Sequence, residues 1–320
     1  MRKRALLWIA ALLLNCGTIA AEQPRTSLVA QDAGKISFLS AGSIVKGDEA
    51  GRYKVSNEPV AISGELQFPS GSGPFPVVVL AHTCAGTGYS ELTWAPRLRD
   101  WGYATFIVDS FGPRGIGSVC NEPRRLFSFQ RVPDAYGALR ILATHPKIDA
   151  RNAFLMGFSH GANVAMNAAT VWATDIYSSG DRPRFRAFFP FYPYCNSRYP
   201  EREAVSAPIR MHVGEVDDWT PAGPCREWVE KLNANGYDAT IMEYAGAHHG
   251  FDMPFGFAMR MPGFNNAANC WAVYPSILGP IDFEKNFSGC ITKGVTVGRN
   301  AEAIEQAAQV LRGQLSELRR

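Results

Sequence analysis

The chain has 320 residues, 46% of them hydrophobic, and a formal net charge of +3. That is ample material for a sizeable core, and length alone leaves one large or two small domains open. The basic residues are scattered except at the two ends, without the clustered cationic face of a nucleic-acid binder, so no nucleic-acid partner is expected.

The first element reads as a leader. Arg2, Lys3 and Arg4 precede an apolar run from Ala5 to Leu14, and small residues follow up to Ala21. About 20 apolar residues are needed to cross a bilayer, so residues 1–21 are expected to be a cleaved signal peptide. The alternatives are a retained anchor or a lipoprotein lipidated on Cys16, although Asn15 is not the small residue expected before such a cysteine. Export implies a periplasmic or secreted protein with no stable membrane span after cleavage. Loss of Cys16 leaves Cys84, Cys120, Cys195, Cys225, Cys270 and Cys290. An even number in an oxidising compartment points to disulfides. The pairing expected is between sequential neighbours: Cys84 with Cys120, Cys195 with Cys225, Cys270 with Cys290. No C-x-x-C pair occurs, which argues against a zinc ribbon or a thioredoxin-type site.

Residues 22 to about 58 read as an irregular lead-in with one short strand at "KISFL". "VAISGELQF" then alternates like a half-exposed strand. "PVVVLAH", "YATFIVDS", "AFLMGFS", "FRAFFPFYP", "IRMHVGE" and "ATIMEYAG" are short apolar runs, as expected of strands covered on both faces. Helical stretches separate them. "SELTWAPRLRDWG" stops at Gly102, "PDAYGALRILATHP" is punctuated by Pro133 and Pro146, and "GPCREWVEKLNANG" ends in Asn-Gly. The last helix starts after Asn300, a natural N-cap, and carries Ile304, Ala308, Leu311, Leu315 and Leu318 at helical spacing. The alternation predicts an α/β fold: a mostly parallel central sheet flanked by helices on both faces. No repeat or linker divides residues 22–320, which are expected to form a single domain. Residues 251–295, aromatic and rich in Gly and Pro, read as a long loop carrying two of the cysteines.

One stretch carries chemistry. "NAFLMGFSHGANVAMNAAT" runs from a buried strand through Gly-Phe-Ser-His-Gly into a small-residue helix. A serine hydroxyl is a poor nucleophile unless a base takes its proton and donors stabilise the oxyanion. A tight strand-to-helix turn projects Ser159 outward and aims the next backbone N–H, that of His160, at the developing charge. Gly157 and Gly161 let the turn approach its neighbours, and Ala162, Ala165 and Ala168 let the helix pack closely. An acid and a base should follow in the order Ser, Asp, His. Asp217 and Asp218 stand on a loop just past a strand, where catalytic groups gather in such sheets; one of them could instead cap the helix near Pro221. His248 and His249 follow the final strand. The loop "HTCAGTG" after the early buried strand is placed to supply a second oxyanion donor, from Thr83 or Cys84. Cys84 as nucleophile is an alternative that lacks the elbow.

With these pieces in view, the chain resembles the dienelactone hydrolase family of α/β-hydrolases. The similar segments are "VVVLAHTCAG", "GYATFIVDSFGPRG", "RVPDAYGALRIL", "LMGFSHGANVA", "GEVDDWTPAGPC" and "YAGAHHGFDMP", spanning about Val77 to Pro254. The resemblance implies the α/β-hydrolase fold, with Ser159 as nucleophile, Asp217 as acid and His249 as base. It also implies an oxyanion hole from the backbone N–H groups of Cys84 and His160. Asp218 and His248 are the neighbours less favoured for these roles. Arg114 in "FGPRG" is either a ligand for an acidic substrate group or a loop anchor. Placed on the family's frame, Cys195 ends one strand and Cys225 follows the acid loop of the next, while Cys84 and Cys120 follow two adjacent strands.

One residue departs from the family's pattern. The enzymes that gave the family its name carry a cysteine in the elbow where this chain has Ser159, which favours a broader ester substrate. The function expected is an exported serine hydrolase of carboxylic ester or lactone bonds, working through an acyl-enzyme on a small molecule with no cofactor and no metal. A peptidase or acyltransferase would use the same machinery. A binding protein that kept the fold is the alternative of a different class, in which residues Phe251 to Cys290 would face a partner.

Overall fold

The computed structural model describes residues 23–319. The leader expected at 1–21, with Cys16, lies outside the described residues. Eight strands form the main sheet: β1 (Gly34–Leu39), β2 (Ala61–Gln67), β3 (Phe75–Ala81), β4 (Ala104–Asp109), β5 (Ile148–Phe158), β6 (Ala187–Phe191), β7 (Ile209–Gly214) and β8 (Ala239–Tyr244). Their spatial order is β1-β2-β4-β3-β5-β6-β7-β8. β1 and β2 pair antiparallel, as do β2 and β4; every later pair is parallel. The apolar runs are the parallel strands, and Val77, Val79, Phe106, Leu155 and Phe189 are fully enclosed.

Helices cover both faces. α1 (Ser90–Asp100) and α7 (Ala301–Leu318) lie on one; α2 (Val132–Leu142), α3 (His160–Ala168), α4 (Val171–Tyr177) and α5 (Ala222–Ala234) lie on the other. The small residues of α3 do what their size permits: Ala162, Ala165 and Ala168 are fully buried. The Asn300 side chain caps α7 by accepting from Ala303 N at 3.1 Å. Neither Asp217 nor Asp218 caps α5, whose N-cap is Pro221. This is the α/β-hydrolase architecture, and its strand order reverses beside β3. The chain leaves β3 for β4 on one side and returns as β5 on the other, opening a crevice beyond the strands' carboxyl ends, where such sheets bind ligands.

Three features differ from the expectation. A hairpin of Ser43–Lys46 with Tyr53–Ser56 stands in the lead-in. The 251–295 segment contains an antiparallel ribbon of Met259–Asn266 with Thr292–Val297, and a short helix α6 (Phe283–Phe287). Ala272–Val273 also pairs with Ser197–Arg198. Pro262 and Gly263 break the ribbon's alternation, and the register shifts between Met261 and Asn265, so the period-two pattern that would reveal a strand is interrupted.

The start of α1 is tied beneath the later loops by buried acids. Asp252 accepts from Trp94 Nε1 and Tyr192 Oη, each at 2.7 Å, and from Ser90 Oγ at 3.2 Å. Burial raises its pKa despite those donors. Glu91 accepts from Gly88 N at 2.9 Å through Oε2, while Oε1 has no partner among the described residues. Burial lifts its pKa from 4.5 to about 7. A carboxyl group raised on folding stays protonated while its unfolded counterpart ionises, so stability falls as pH rises across that window and is flat above it. The loss is up to ~3 kcal/mol. A glutamine keeps the acceptor for Gly88 and cannot ionise. Thermal unfolding of Glu91→Gln should match wild type near pH 4.5 and exceed it by several degrees at pH 8; equal pH slopes would refute this account.

Candidate active site

Ser159 occupies the turn between β5 and α3 with φ 52° and ψ −111°. A non-glycine residue there stores about 1–3 kcal/mol of strain and persists only when its surroundings enforce it. The surroundings are tight. Ser159 N donates to Phe191 O at 3.0 Å, and Ser159 O accepts from Asn163 N at 3.1 Å. A Cβ on Gly157 would lie 2.0 Å from Gly161 O, and one on Gly161 2.0 Å from Ala81 O. Both glycines are therefore required by close approach of backbones.

Asp217 and His249 converge on this serine from the loops after β7 and β8. Ser159 Oγ is 2.9 Å from His249 Nε2, and His249 Nδ1 is 2.8 Å from Asp217 Oδ2. A carboxylate only accepts, so Nδ1 carries the proton and Nε2 is left to accept from the serine hydroxyl. Asp217 Oδ1 takes Trp219 N at 2.9 Å and Thr220 N at 2.8 Å. The Thr220 hydroxyl stands 2.9 Å from Asp217 Oδ2 and 3.0 Å from His249 Nδ1. Tyr192 and Trp219 each bring a ring to 4.8 Å from the imidazole. Asp217 and His249 are buried and Ser159 is half-buried.

The other candidates sit elsewhere. Asp218 accepts from Thr296 N at 2.7 Å and from Arg260 at 2.8 Å, which anchors the ribbon. His248 is half-buried, with Nδ1 3.1 Å from Val216 O. Arg114 forks onto Asp134 at 2.7 and 2.9 Å, also reaches Ser110 O, and is not among the residues lining the cleft.

Cys84 and His160 both line the cleft beside Ser159. His160 begins α3, so its N–H has no intrahelical acceptor. Behind them lies fully buried Arg131, which donates to His82 O at 3.1 Å and approaches His160 Nδ1 at 2.8 Å. Burial lowers its pKa to about 9. Burial, then the neighbouring guanidinium, hold the His82 and His160 imidazoles well below their usual range, so both are neutral near pH 7. Arg131, Thr220, Tyr192 and Asp252 were not singled out from the sequence. Only Asp252, three residues past His249, had a positional signal.

The cleft measures about 730 Å³, within the span of sites for small organic ligands. Disulfides tie its surroundings in sequential order: Cys84–Cys120 beside Ser159, Cys195–Cys225 from the end of β6 to α5, and Cys270–Cys290 across the 251–295 segment.

These features define an α/β-hydrolase with a serine, histidine and aspartate at the carboxyl ends of its strands. The chain belongs to the dienelactone hydrolase family, whose model matches residues 62–272, and it is a hydrolase of that family. A Bradyrhizobium sp. protein named "Probable 2-oxo-3-(5-oxofuran-2-ylidene)propanoate lactonase" is 22% identical over 225 residues, covering 65% of this chain and 86% of that protein. Among solved structures, the "Putative Dienelactone Hydrolase" of Klebsiella pneumoniae subsp. pneumoniae MGH 78578 superposes with a TM-score of 0.53 at 14% identity, covering 88% of this chain and 99% of that one. A dienelactone hydrolase-like promiscuous phosphotriesterase from metagenomic libraries gives 0.54 at 15% identity, covering 90% and 100%. At these identities the structures speak for the fold alone.

The glycine contacts generate a stability contrast. Gly161→Ala forces Cβ into the Ala81 carbonyl and should cost about 1–3 kcal/mol or more in urea unfolding. Gly313→Ala, in α7 with open space around it, should be neutral or slightly stabilising.

Proposed function

We propose that the protein is an exported serine hydrolase that cleaves carboxylic ester or lactone bonds through an acyl-enzyme. The observation that carries this reading is the Ser159–His249–Asp217 chain of contacts, set on a strained elbow that lines the cleft. His249 Nε2 takes the Ser159 proton as Oγ bonds to the substrate carbonyl carbon. Asp217 holds the imidazole in that tautomer and stabilises the imidazolium formed. The tetrahedral oxyanion accepts from the N–H groups of Cys84 and His160. Collapse breaks the carbonyl carbon–alkoxy bond, and the imidazolium returns its proton to the departing oxygen. Water, deprotonated by the same histidine, attacks the acyl-enzyme and releases the acid with Ser159 regenerated.

Export is supported by the basic-then-apolar start of the sequence and by three disulfides, which persist in oxidising compartments. No helix among the described residues is long and apolar enough to cross a membrane.

The serine is tested by fluorophosphonate labelling together with turnover of p-nitrophenyl esters. Both should vanish in Ser159→Ala, and Asp217→Asn should lower kcat by roughly 10⁴ through the wrong imidazole tautomer. His249→Ala should be inactive while His248→Ala stays near wild type. A labelled, fully active Ser159→Ala would end this reading.

The Cys84–Cys120 disulfide generates a second test, because Cys84 is both a candidate oxyanion donor and half of the bond. The hole is further braced by Val119 N donating to Cys84 O at 2.8 Å. Replacing both cysteines with alanine frees the loop and should lower kcat tenfold or more at little cost in KM, since one oxyanion donor is worth about 10²–10³. Replacing Cys270 and Cys290, which do not line the cleft but tie the segment that carries Phe283 and Phe287 of its lining, should move KM more than kcat. Steady-state kinetics on both folded variants decides between them.

A further inference from the structure

The cleft is lined by rings to an extent that the ester chemistry does not require. Phe127 stacks on Phe129 with centroids 5.3 Å apart and planes 11° apart. Phe283, on α6, stacks on Phe127 at 6.0 Å and 22°, and Phe287 follows at 5.5 Å and 28°. Four near-parallel rings thus run from the body of the protein onto the 251–295 segment, and all four line the cleft. Phe127, Phe283 and Phe287 are only half-buried. If their sole task were to seal that segment to the body, the rings would be enclosed; instead they leave apolar surface facing the cavity. The hydroxyl of Tyr274, another lining residue, has no hydrogen-bond partner among the described residues.

Volume points the same way. A small acyl group or a simple lactone fills a minor part of about 730 Å³. Arg124 already lies 4.7 Å over the Phe283 ring, and a small substrate would leave the remaining apolar part of the lining against water, a poor match. A planar aromatic ring meets stacked phenyl groups with complementary quadrupoles, in offset or edge-to-face contact, beyond what area alone supplies. An alkyl chain of equal length gains the area and not the ring contact.

We propose that the cleft selects esters bearing an aromatic ring, with Phe127 and Phe283 as specificity-determining residues. The proposal rests on the hydrolase reading above and deepens it. The ring can belong to the acid or to the alcohol, because either end of an ester bound at Ser159 can enter the cleft. The Tyr274 hydroxyl is available to a polar substituent on that ring.

The test uses the oxidised full chain and two length-matched pairs: methyl cinnamate against methyl octanoate, and 2-phenylethyl acetate against octyl acetate. In at least one pair kcat/KM should favour the aromatic ester by about tenfold, and the pair that responds identifies the end that carries the ring. Phe127→Leu and Phe283→Leu keep apolar bulk without the ring. Each should cut that ratio by about fivefold, chiefly through KM. No preference in either pair, with p-nitrophenyl acetate turned over and lost in Ser159→Ala, overturns the aromatic selection and leaves the hydrolase standing. A preference that survives unchanged in both leucine variants also overturns it, since the rings then serve only to hold the segment. Should no ester be turned over, calorimetric binding of methyl cinnamate and methyl octanoate to the same protein decides the selection without catalysis. Equal affinities would count against it.

Discussion

Two glycines and one strained serine hold three backbones at contact distance, and the remainder of the site is arranged around that contact. The end of β5, the first turn of α3 and the end of β3 meet where a Cβ on Gly157 or Gly161 would strike a carbonyl. Such closeness drives Ser159 to a positive φ, a conformation that a free chain would leave at once. The packing of α3 on the sheet keeps it there, helped by the small buried residues Gly161, Ala162, Ala165 and Ala168. Core packing and serine presentation are therefore one constraint. A helix set farther out would relax the turn and lower the hydroxyl into the sheet.

From this point the loops at the strands' carboxyl ends need to be brought in and held, and the chain does so by cross-ties instead of by more core. His249 is fixed through its neighbours: Gly298 N donates to His249 O at 3.0 Å and Asn300 N to Phe251 O at 2.9 Å. Asp218 holds Thr296 of the same ribbon, so one edge of the ribbon braces both the Asp217 loop and the His249 loop. The sequence offered Asp217 and Asp218 as near equivalents for one role. The structure gives each a separate task, with Asp217 toward the imidazole and Asp218 toward the ribbon. Disulfides complete the bracing, and by chain-entropy reasoning each is worth on the order of 3–4 kcal/mol for the loops that they close.

What could be read from the sequence follows from how local each signal is. Parallel strands enclosed on both faces are continuous apolar runs, so β3 to β7 were legible; β8 is the sheet's edge, with Thr240, Met242 and Glu243 exposed, and was legible only as a further run of strand-forming residues. The elbow was legible because its glycines are adjacent in sequence to the serine that they serve. Asp217 and His249 could be proposed because each follows a strand end. The ribbon was not legible, since Pro262 and Gly263 interrupt its alternation. Nor were the contacts of Asp252, whose partners Trp94 and Ser90 lie 158 and 162 residues away. Arg131 was hidden for a similar reason: nothing near it in sequence announces a fully buried guanidinium bound to His82 and His160.

The buried polar groups beneath the site divide by charge in a way that bears on how it works. Asp252 and Glu91 are carboxyl groups whose ionisation burial resists. Beside His160 lies Arg131, a cation that contacts a carbonyl oxygen, a ring nitrogen and the face of Phe111, with Asp134, Glu91 and Asp109 near enough to favour its charge. A negative charge behind the imidazole would favour its cation, and a positive charge behind the turn would favour an oxyanion. In a medium of low effective dielectric both fields act over several ångströms without reorganising. Glu91 and Arg131 also act on each other, so the two fields are not independent. Keeping charge in the interior is costly, and the neighbouring Asp134, Glu91 and Asp109 lower that cost for Arg131.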